Sequence, residues 1–235
     1  MSDFSSALSK ALYLLISGDA ALMEIIALSL QVSLSAIALA TLIGLPLGSV
    51  LAVARFPGRG GVITLVNALM GLPPVVVGLI VYMLLSNAGP FGVLNLLYTP
   101  TAMLIAQTIL VTPIIAALAR QACEDLLEEY DEQLRSLGAG TGQIIATLLW
   151  DGRTRLLTAI LAGFGRAIAE VGAVMIVGGN INHVTRTMTT AIALETSKGN
   201  LALALALGVI LLALAFAVNA AVMGLHGTVE RAAHA

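Results

Sequence analysis

Long apolar stretches separated by short polar ones dominate the hydropathy pattern of this chain. A helix needs about 20 apolar residues to cross about 30 Å of hydrocarbon, and five segments approach or exceed that length. The chain is therefore predicted to be an all-α membrane protein with five transmembrane helices. The predicted spans are Ile25–Ala54, Val62–Leu85, Thr101–Leu118, Leu156–Val177 and Leu201–Leu225.

Proline interrupts three of these spans. Pro46 lies in the Gly44–Gly48 segment of the first span, where we predict a kink, and Pro113 lies in the third. Pro73 and Pro74 fall near the middle of the second. Membrane helices tolerate such residues where neighbouring helices or waters satisfy the freed carbonyls. Breaks of this kind lie along transport pathways or serve as packing kinks, and both interpretations apply to Pro73 and Pro74.

One sizeable polar segment, Glu124–Trp150, stands between the third and fourth spans. Its pattern predicts a helix over Glu124–Leu137, a glycine-rich turn over Gly138–Gly142 and a second short helix that ends near Trp150. A membrane protein that keeps a charged helical segment between its spans is expected to present it to a soluble partner.

The two ends of the chain are predicted to lie outside the transmembrane spans. Phe4, Leu8, Leu12 and Leu15 fall on one helical face, which predicts an interfacial helix over residues 1–24. The transmembrane domain then covers residues 25–225, with a cytoplasmic loop at 120–155. Residues 226–235 are predicted to be a cytoplasmic tail.

Basic residues favour one orientation in the membrane. With the N-terminus outside, seven arginines are cytoplasmic, and only Lys10, Arg186 and Lys198 lie outside. Lysine and arginine in loops set membrane topology, so the polar segment is predicted to be cytoplasmic. The seven are Arg55, Arg59, Arg120, Arg135, Arg153, Arg155 and Arg231.

Composition agrees with a membrane location. Charged residues make up 10% of the chain and the mean hydropathy is +1.00, whereas soluble domains carry about 25% charged residues. The net charge of −2 gives no reason to expect nucleic acid as a partner.

The sequence offers little for catalysis. The Gly138–Gly142 run lacks the GxxxxGK[ST] spacing of a phosphate-binding loop, so any ATP would be hydrolysed on a separate subunit. His183, His226 and His234 are too dispersed to predict a metal site, and Cys123 is the one cysteine. No cofactor is expected on this chain.

Arg166 and Glu170 place two charges inside the fourth span. Four residues apart, they share a helical face and can pair. Charges in a span face a bundle interior or an aqueous cavity. The pair is either a structural pin or a gate in a pathway, and small neighbours such as Gly172 allow close helix approach in both cases.

The outer loop Gly178–Thr190 is rich in hydroxyl and amide groups, including Asn180, Thr185, Thr187 and Thr189. Such groups can hydrogen-bond an oxyanion without holding it as a full charge would. An ordinary threonine-rich loop has the same composition, so both interpretations remain open.

The cytoplasmic segment resembles the EAA loop of ABC importer permeases. Gln133 and Leu134 replace the two alanines, and the usual downstream Leu-Pro is absent at Trp150–Asp151. The matching residues are Glu132, Arg135, Ser136, Leu137, Gly138 and Ala139.

The spans resemble those of sulfate, molybdate and tungstate permeases. This likeness rests on Gly71–Gly78, Gly89–Gly92, Gly165–Ala173 and Gly179-Asn180, and it runs from about Ser17 to Leu225. The segment Gly178–Asn200 is most similar to the tungstate type.

The resemblance implies a type I importer in a prokaryotic plasma membrane. Two copies of this chain would pair with two ATPase subunits, which hold the ATP and Mg²⁺, and with an external substrate-binding protein. The helix before Gly138 would dock on the ATPase, with Glu132 and Arg135 anchoring the joint and Leu134 and Leu137 supplying its buried contact. Tungstate is the expected substrate, with molybdate or sulfate as alternatives.

The breaks, the charged pair and the hydroxyl-rich loop together give a set of candidate pathway or gate residues. They are Pro73, Pro74, Arg166, Glu170, Gly172, Asn180, Thr185 and Thr187. A different class of function, an ATP-independent carrier or a membrane scaffold, would leave the cytoplasmic segment unused.

Overall fold

All regular elements in the part of the chain that the structure describes are helical. A computed structural model describes residues 20–233 and, before them, residues 9, 13, 17 and 18, with side chains as far as residue 220. A short 3₁₀ turn also forms at Gly92–Leu94. The helices are α1 Ala20–Val53, α2 Arg59–Met70, α3 Pro74–Leu85, α4 Pro100–Ser136, α5 Thr141–Asp151, α6 Arg153–Ile168, α7 Gly172–Gly178, α8 Met188–Ser197 and α9 Leu201–Ala233.

The five predicted spans correspond to three long helices and two bent pairs. By length and composition, α1, α4 and the Leu201–Ala220 part of α9 are each able to cross a membrane. The second span is the pair α2–α3, bent by 100°, and the fourth is the pair α6–α7, bent by 56°. The all-α membrane fold is confirmed, but these two spans are not single continuous helices.

The sharper bend follows from the prolines of the second span. Pro73 and Pro74 have no backbone N–H, and the residue before a proline is driven out of the helical region. The two helices therefore separate between Met70 and Pro74. Each has 12 residues and reaches about 18 Å, well short of the hydrocarbon thickness.

Helix α4 extends much further than the predicted third span. It has 37 residues, so it is about 55 Å long, and it continues through Pro113. Good helix formers fill the stretch between Leu118 and Glu124, and nothing there ends the helix. The cytoplasmic helix predicted over Glu124–Leu137 is thus the far end of the helix that contains the third span.

Helix α1 packs along α4 at very short range. A Cβ atom at Gly48 would lie 2.4 Å from the Ala116 carbonyl oxygen, and one at Gly44 would lie 3.0 Å from Ile115. The helix is continuous through Pro46. The glycines of the predicted kink therefore serve as the contact between α1 and α4.

Two of the apolar clusters that pack around α4 surround its N-terminal half. In the first, Val32 and Met103 pack with Val81 and Val177 of the bent pairs. Further along, a second cluster joins Ile37, Val111, Ile115 and Phe164.

The predicted domain boundaries at the two ends stay predictions. Residues 20–24 of the proposed interfacial helix belong to α1, and most of the rest of 1–24 lies outside the described residues. At the other end α9 continues as a helix to Ala233.

Candidate functional site

The turn at Gly138 is built by a specific set of backbone hydrogen bonds. The N–H of Ala139 donates to the Leu134 carbonyl at 3.0 Å, and that of Gly138 donates to the Arg135 carbonyl at 3.0 Å. This is the Schellman pattern that ends many helices. It requires a left-handed residue after the last turn, and Gly138 has φ +74°. The glycine is therefore needed for its backbone conformation.

The second short helix, α5, packs back onto the membrane domain. Ile144 and Leu148 are buried against Cys123 and Leu126 of α4. Its first turn is closed by the Gln143 side chain, which accepts a 2.9 Å hydrogen bond from the Gly140 N–H. Helix α5 is thus held firmly against the C-terminal part of α4.

The residues that match the EAA loop all lie at this turn, with different surroundings. Arg135 pairs with Asp131 at 2.6 Å, and the Ser136 hydroxyl donates to the Gln133 carbonyl. Glu132 is exposed. Leu134 packs into the apolar cluster with α5, whereas Leu137 is 83% exposed. Of the two leucines, only Leu137 is free to contact a partner.

Glu170 stands at the break between α6 and α7, and its carboxylate has two partners. It pairs with Arg166, and Oε1 accepts a 2.9 Å hydrogen bond from the Ala173 N–H in the first turn of α7. The side chain is 3% exposed. The pair predicted from the spacing is therefore formed, and it also caps a helix.

Two neighbouring side chains complete this polar centre. The Thr189 hydroxyl donates to the backbone carbonyl of Glu170 at 2.8 Å. Gln107 of α4 donates from Nε2 to the Ala167 carbonyl at 3.1 Å. Backbone groups freed by the break are thus satisfied by side chains, as a membrane interior requires.

The two broken spans adjoin each other. A Cβ atom at Gly78 of α3 would lie 2.8 Å from the Ala173 Cα, and one at Gly172 would lie 3.0 Å from Val75. The break after Pro73 and Pro74 and the break after Glu170 therefore share one region of the fold.

The hydroxyl groups of the Gly178–Thr190 loop are engaged in internal hydrogen bonds. Thr185 is fully buried; its Oγ1 donates to the Gly178 carbonyl and accepts from the Ile181 N–H at 3.0 Å. Thr187 precedes α8, and its N–H donates to Thr190 Oγ1 at 3.0 Å. Asn180, with φ +50°, donates to the Thr190 carbonyl at 3.3 Å. A role for these groups in an anion pathway stays a prediction.

Comparison with known proteins identifies the chain. The family model for the inner membrane component of binding-protein-dependent transport systems matches residues 44–231. The chain belongs to this family of transport permeases. No group of three or more His, Cys, Asp or Glu side chains in the described part of the permease is placed to hold a metal ion.

Three relatives match most of the permease. A probable anion ABC transporter permease protein of Haloferax volcanii is 42% identical over 204 residues, covering 85% of this chain and 88% of that protein. The tungstate uptake system permease protein TupB of Peptoclostridium acidaminophilum is 41% identical, covering 92% and 94%. TupB of Campylobacter jejuni is 38% identical, covering 89% and 88%.

The permease also has a cluster that the sequence did not predict. Glu124 binds Arg59 at 2.5 Å and also pairs with Arg120. Arg59 in turn donates to the Leu51 and Ala52 carbonyls at the end of α1. The one sequence signal was the spacing of four between Arg120 and Glu124. This cluster joins α1, α2 and α4 at the start of the Glu124–Trp150 segment.

Trp150 was also missed as a site residue. It is 71% exposed at the end of α5, and the Arg153 guanidinium lies 5.2 Å from its ring centroid. Its signal in the sequence was that it is the only tryptophan, placed in a polar segment. Leu137 and Trp150 are thus two large exposed apolar side chains on the segment predicted to meet a soluble partner.

Proposed function

We propose that this permease carries tungstate inward as the membrane subunit of an ATP-driven importer. The single observation that carries the substrate is the 38–41% identity to two permeases named for tungstate uptake, over about nine-tenths of the chain.

The cytoplasmic segment is proposed as the contact with the ATPase subunits. Its exposed Leu137 and Trp150 offer apolar surface for burial in a cleft, and Glu132 and Arg135 offer charges at the rim. Buried aromatic anchors typically dominate the energy of such contacts. The ATPase subunits would hold ATP and Mg²⁺, and this chain would bind no cofactor.

Helix α4 supplies a route from this contact to the outer half of the membrane. Its inner end packs against α5 through Cys123 and Leu126, and near its outer end Gln107 binds the carbonyl of Ala167 beside the α6–α7 break. A displacement of α5 by the ATPase would therefore move a rigid helix that contacts the Arg166–Glu170 region. Coupling requires that the ATPase bind the two conformations with different free energy.

The complete importer is proposed to contain two copies of this chain, two ATPase subunits and an external substrate-binding protein. The distribution of lysine and arginine supports an outside N-terminus and a cytoplasmic Gly138 turn. In this orientation the loop that contains Asn180, Thr185 and Thr187 faces the substrate-binding protein.

The test is the ATPase activity of the reconstituted complex with its binding protein, titrated with tungstate, molybdate and sulfate. We expect tungstate to stimulate at the lowest concentration. Stimulation by molybdate or sulfate at lower concentration would reassign the substrate within the family. Uptake into vesicles that hold this chain without an ATPase subunit would instead support an independent carrier and overturn the importer.

A further inference from the structure

A small polar cavity lies between α1, α4, α8 and the α6–α7 break. The centre of a water molecule can occupy about 10 Å³ of this cavity, so the cavity has room for about one water molecule. The polar side chains on its walls are Ser29, Ser33, Gln107, Glu170, Thr187 and Thr189.

The side chain of Gln107 provides the strongest sign of a ligand. It is 3% exposed, and its Nε2 is used by the Ala167 carbonyl. Its Oε1 is buried and has no hydrogen-bond partner in the described part of the chain, and Gln107 is one of the side chains that line the cavity. Native proteins satisfy nearly all such buried oxygens, often through ordered water.

The hydrogen-bonding groups and charges of the lining side chains determine which ligand the cavity can hold. An acceptor such as Gln107 Oε1 needs a donor, and the hydroxyls of Ser33 and Thr187 can donate or accept. The Glu170 carboxylate already binds Arg166 and the Ala173 N–H, so its charge is compensated without a cation. An oxyanion would meet that carboxylate and exceeds the space of one water.

We propose that this cavity holds one structural water that donates a hydrogen bond to Gln107 Oε1. The water would connect α1 and α4 to the end of α6, where Gln107 already supports the Ala167 carbonyl. It would complete the hydrogen bonding of a polar centre enclosed by apolar helices.

The first test is a high-resolution structure of the intact importer in lipid nanodiscs. Density for one ordered solvent within hydrogen-bond distance of Gln107 Oε1 is expected. A map that resolves waters elsewhere in the membrane domain and shows none here would overturn the proposal.

A substitution distinguishes a water-filled cavity from an empty one by the direction in which the unfolding midpoint of the complex changes. Ser33→Val fills the space with a methyl group, which expels the water and leaves Gln107 Oε1 unsatisfied. We expect the unfolding midpoint of the complex to fall by about 2–10 °C. If the cavity is dry, Gln107 Oε1 is already unsatisfied in the wild type, so the added methyl group only fills empty space and the midpoint is unchanged or raised.

Two controls define the result. Ser35→Val makes the same change on the exposed face of α1 and should leave the midpoint unchanged. Replacing Na⁺ by choline should also leave the wild-type midpoint unchanged, and a fall there would identify the ligand as a cation and overturn the water.

Discussion

The carboxylate of Glu170 accepts a 2.9 Å hydrogen bond from the backbone N–H of Ala173 while it pairs with Arg166. One side chain therefore closes an intramembrane ion pair and caps the helix that follows it. These two bonds, together with the bond from Thr189 to the Glu170 carbonyl, favour the interpretation of the pair as a structural pin.

We expect Glu170→Ala to destabilise the complex by about 2 kcal/mol, because a hydrogen-bonded charged group and its partners lose their contacts. Glu170→Gln keeps an acceptor for the Ala173 N–H and should cost less. A double-mutant cycle with Arg166→Gln, scored by thermal unfolding and by uptake, measures the pair. For a pin, stability and transport fall together; loss of transport at an unchanged unfolding midpoint would instead mean a gate.

Gly138→Ala should weaken the contact through which the permease stimulates its ATPase subunits. The left-handed conformation at Gly138, with φ +74°, costs an alanine about 1–2 kcal/mol, so the end of α4 would change its geometry. We expect substrate-stimulated ATPase activity to fall while the protein still inserts.

Gly140→Ala is the matched control for that variant. Gly140 has φ −75°, which an alanine adopts without strain. A Cβ atom there would meet only Gln143 Oε1, at 3.8 Å. Its activity should match the wild type, and equal loss in both variants would contradict the role given to the Gly138 conformation.

Trp150→Ala should weaken assembly with the ATPase subunit without unfolding this chain. The side chain is 71% exposed, so the free energy of unfolding should change by about 0.5 kcal/mol or less. Copurification of the ATPase subunit and the midpoint of thermal unfolding report the two effects separately.

Two substitutions bracket the Trp150 result. Leu148→Ala empties a fully buried site on the same helix and should destabilise by about 2–5 kcal/mol. Val93→Ser changes a side chain that is 86% exposed in the loop between α3 and α4 and should affect neither measurement. Normal copurification with Trp150→Ala would remove Trp150 from the proposed contact.

Glu195 predicts a pH dependence of stability. Its carboxylate accepts 2.9 Å hydrogen bonds from Lys198 and Asn200, and these bonds, that of Lys198 first, lower the pKa of the carboxyl group below its usual value. Because the folded-state pKa is lowered, the stabilisation is present above the unfolded pKa of about 4.3 and is lost as the pH falls through the folded-state pKa.

The measurement is the unfolding midpoint of the wild type and of Glu195→Gln from neutral to acid pH. The two should differ at neutral pH and converge as the pH falls through the folded-state pKa. A difference that stays constant over the whole range would show that the charge of Glu195 does not contribute.

The structural features that depend on local composition were predictable from the sequence. Five apolar segments were located because the length of an apolar run is a local property, and the Arg166–Glu170 pair followed from helical spacing. The turn at Gly138 was predicted for the same reason, since glycine after a polar helix is a local signal for its end.

Features set by distant contacts were not predictable. Pro73 and Pro74 marked the place of the break between α2 and α3, but the contact of Gly78 with Ala173 joins residues far apart in the chain, which no local pattern encodes. The ion pair of Arg59 with Glu124 joins residues 65 positions apart. The burial of Leu134 and the exposure of Leu137 depend on where α5 folds back. The local sequence pattern therefore did not distinguish the two leucines.

Because helices α2 and α3 are short, the parts of this subunit must assemble in the membrane in a fixed order. Helices α2 and α3 each reach about 18 Å, so neither can hold a stable transbilayer position by itself as it leaves the insertion machinery. Helix α3 reaches its final neighbour only when Ala173 has been synthesised, roughly 95 residues after Gly78. The region around the two breaks is therefore completed late, and nascent chains that stall before α7 should be substrates for membrane quality-control proteases.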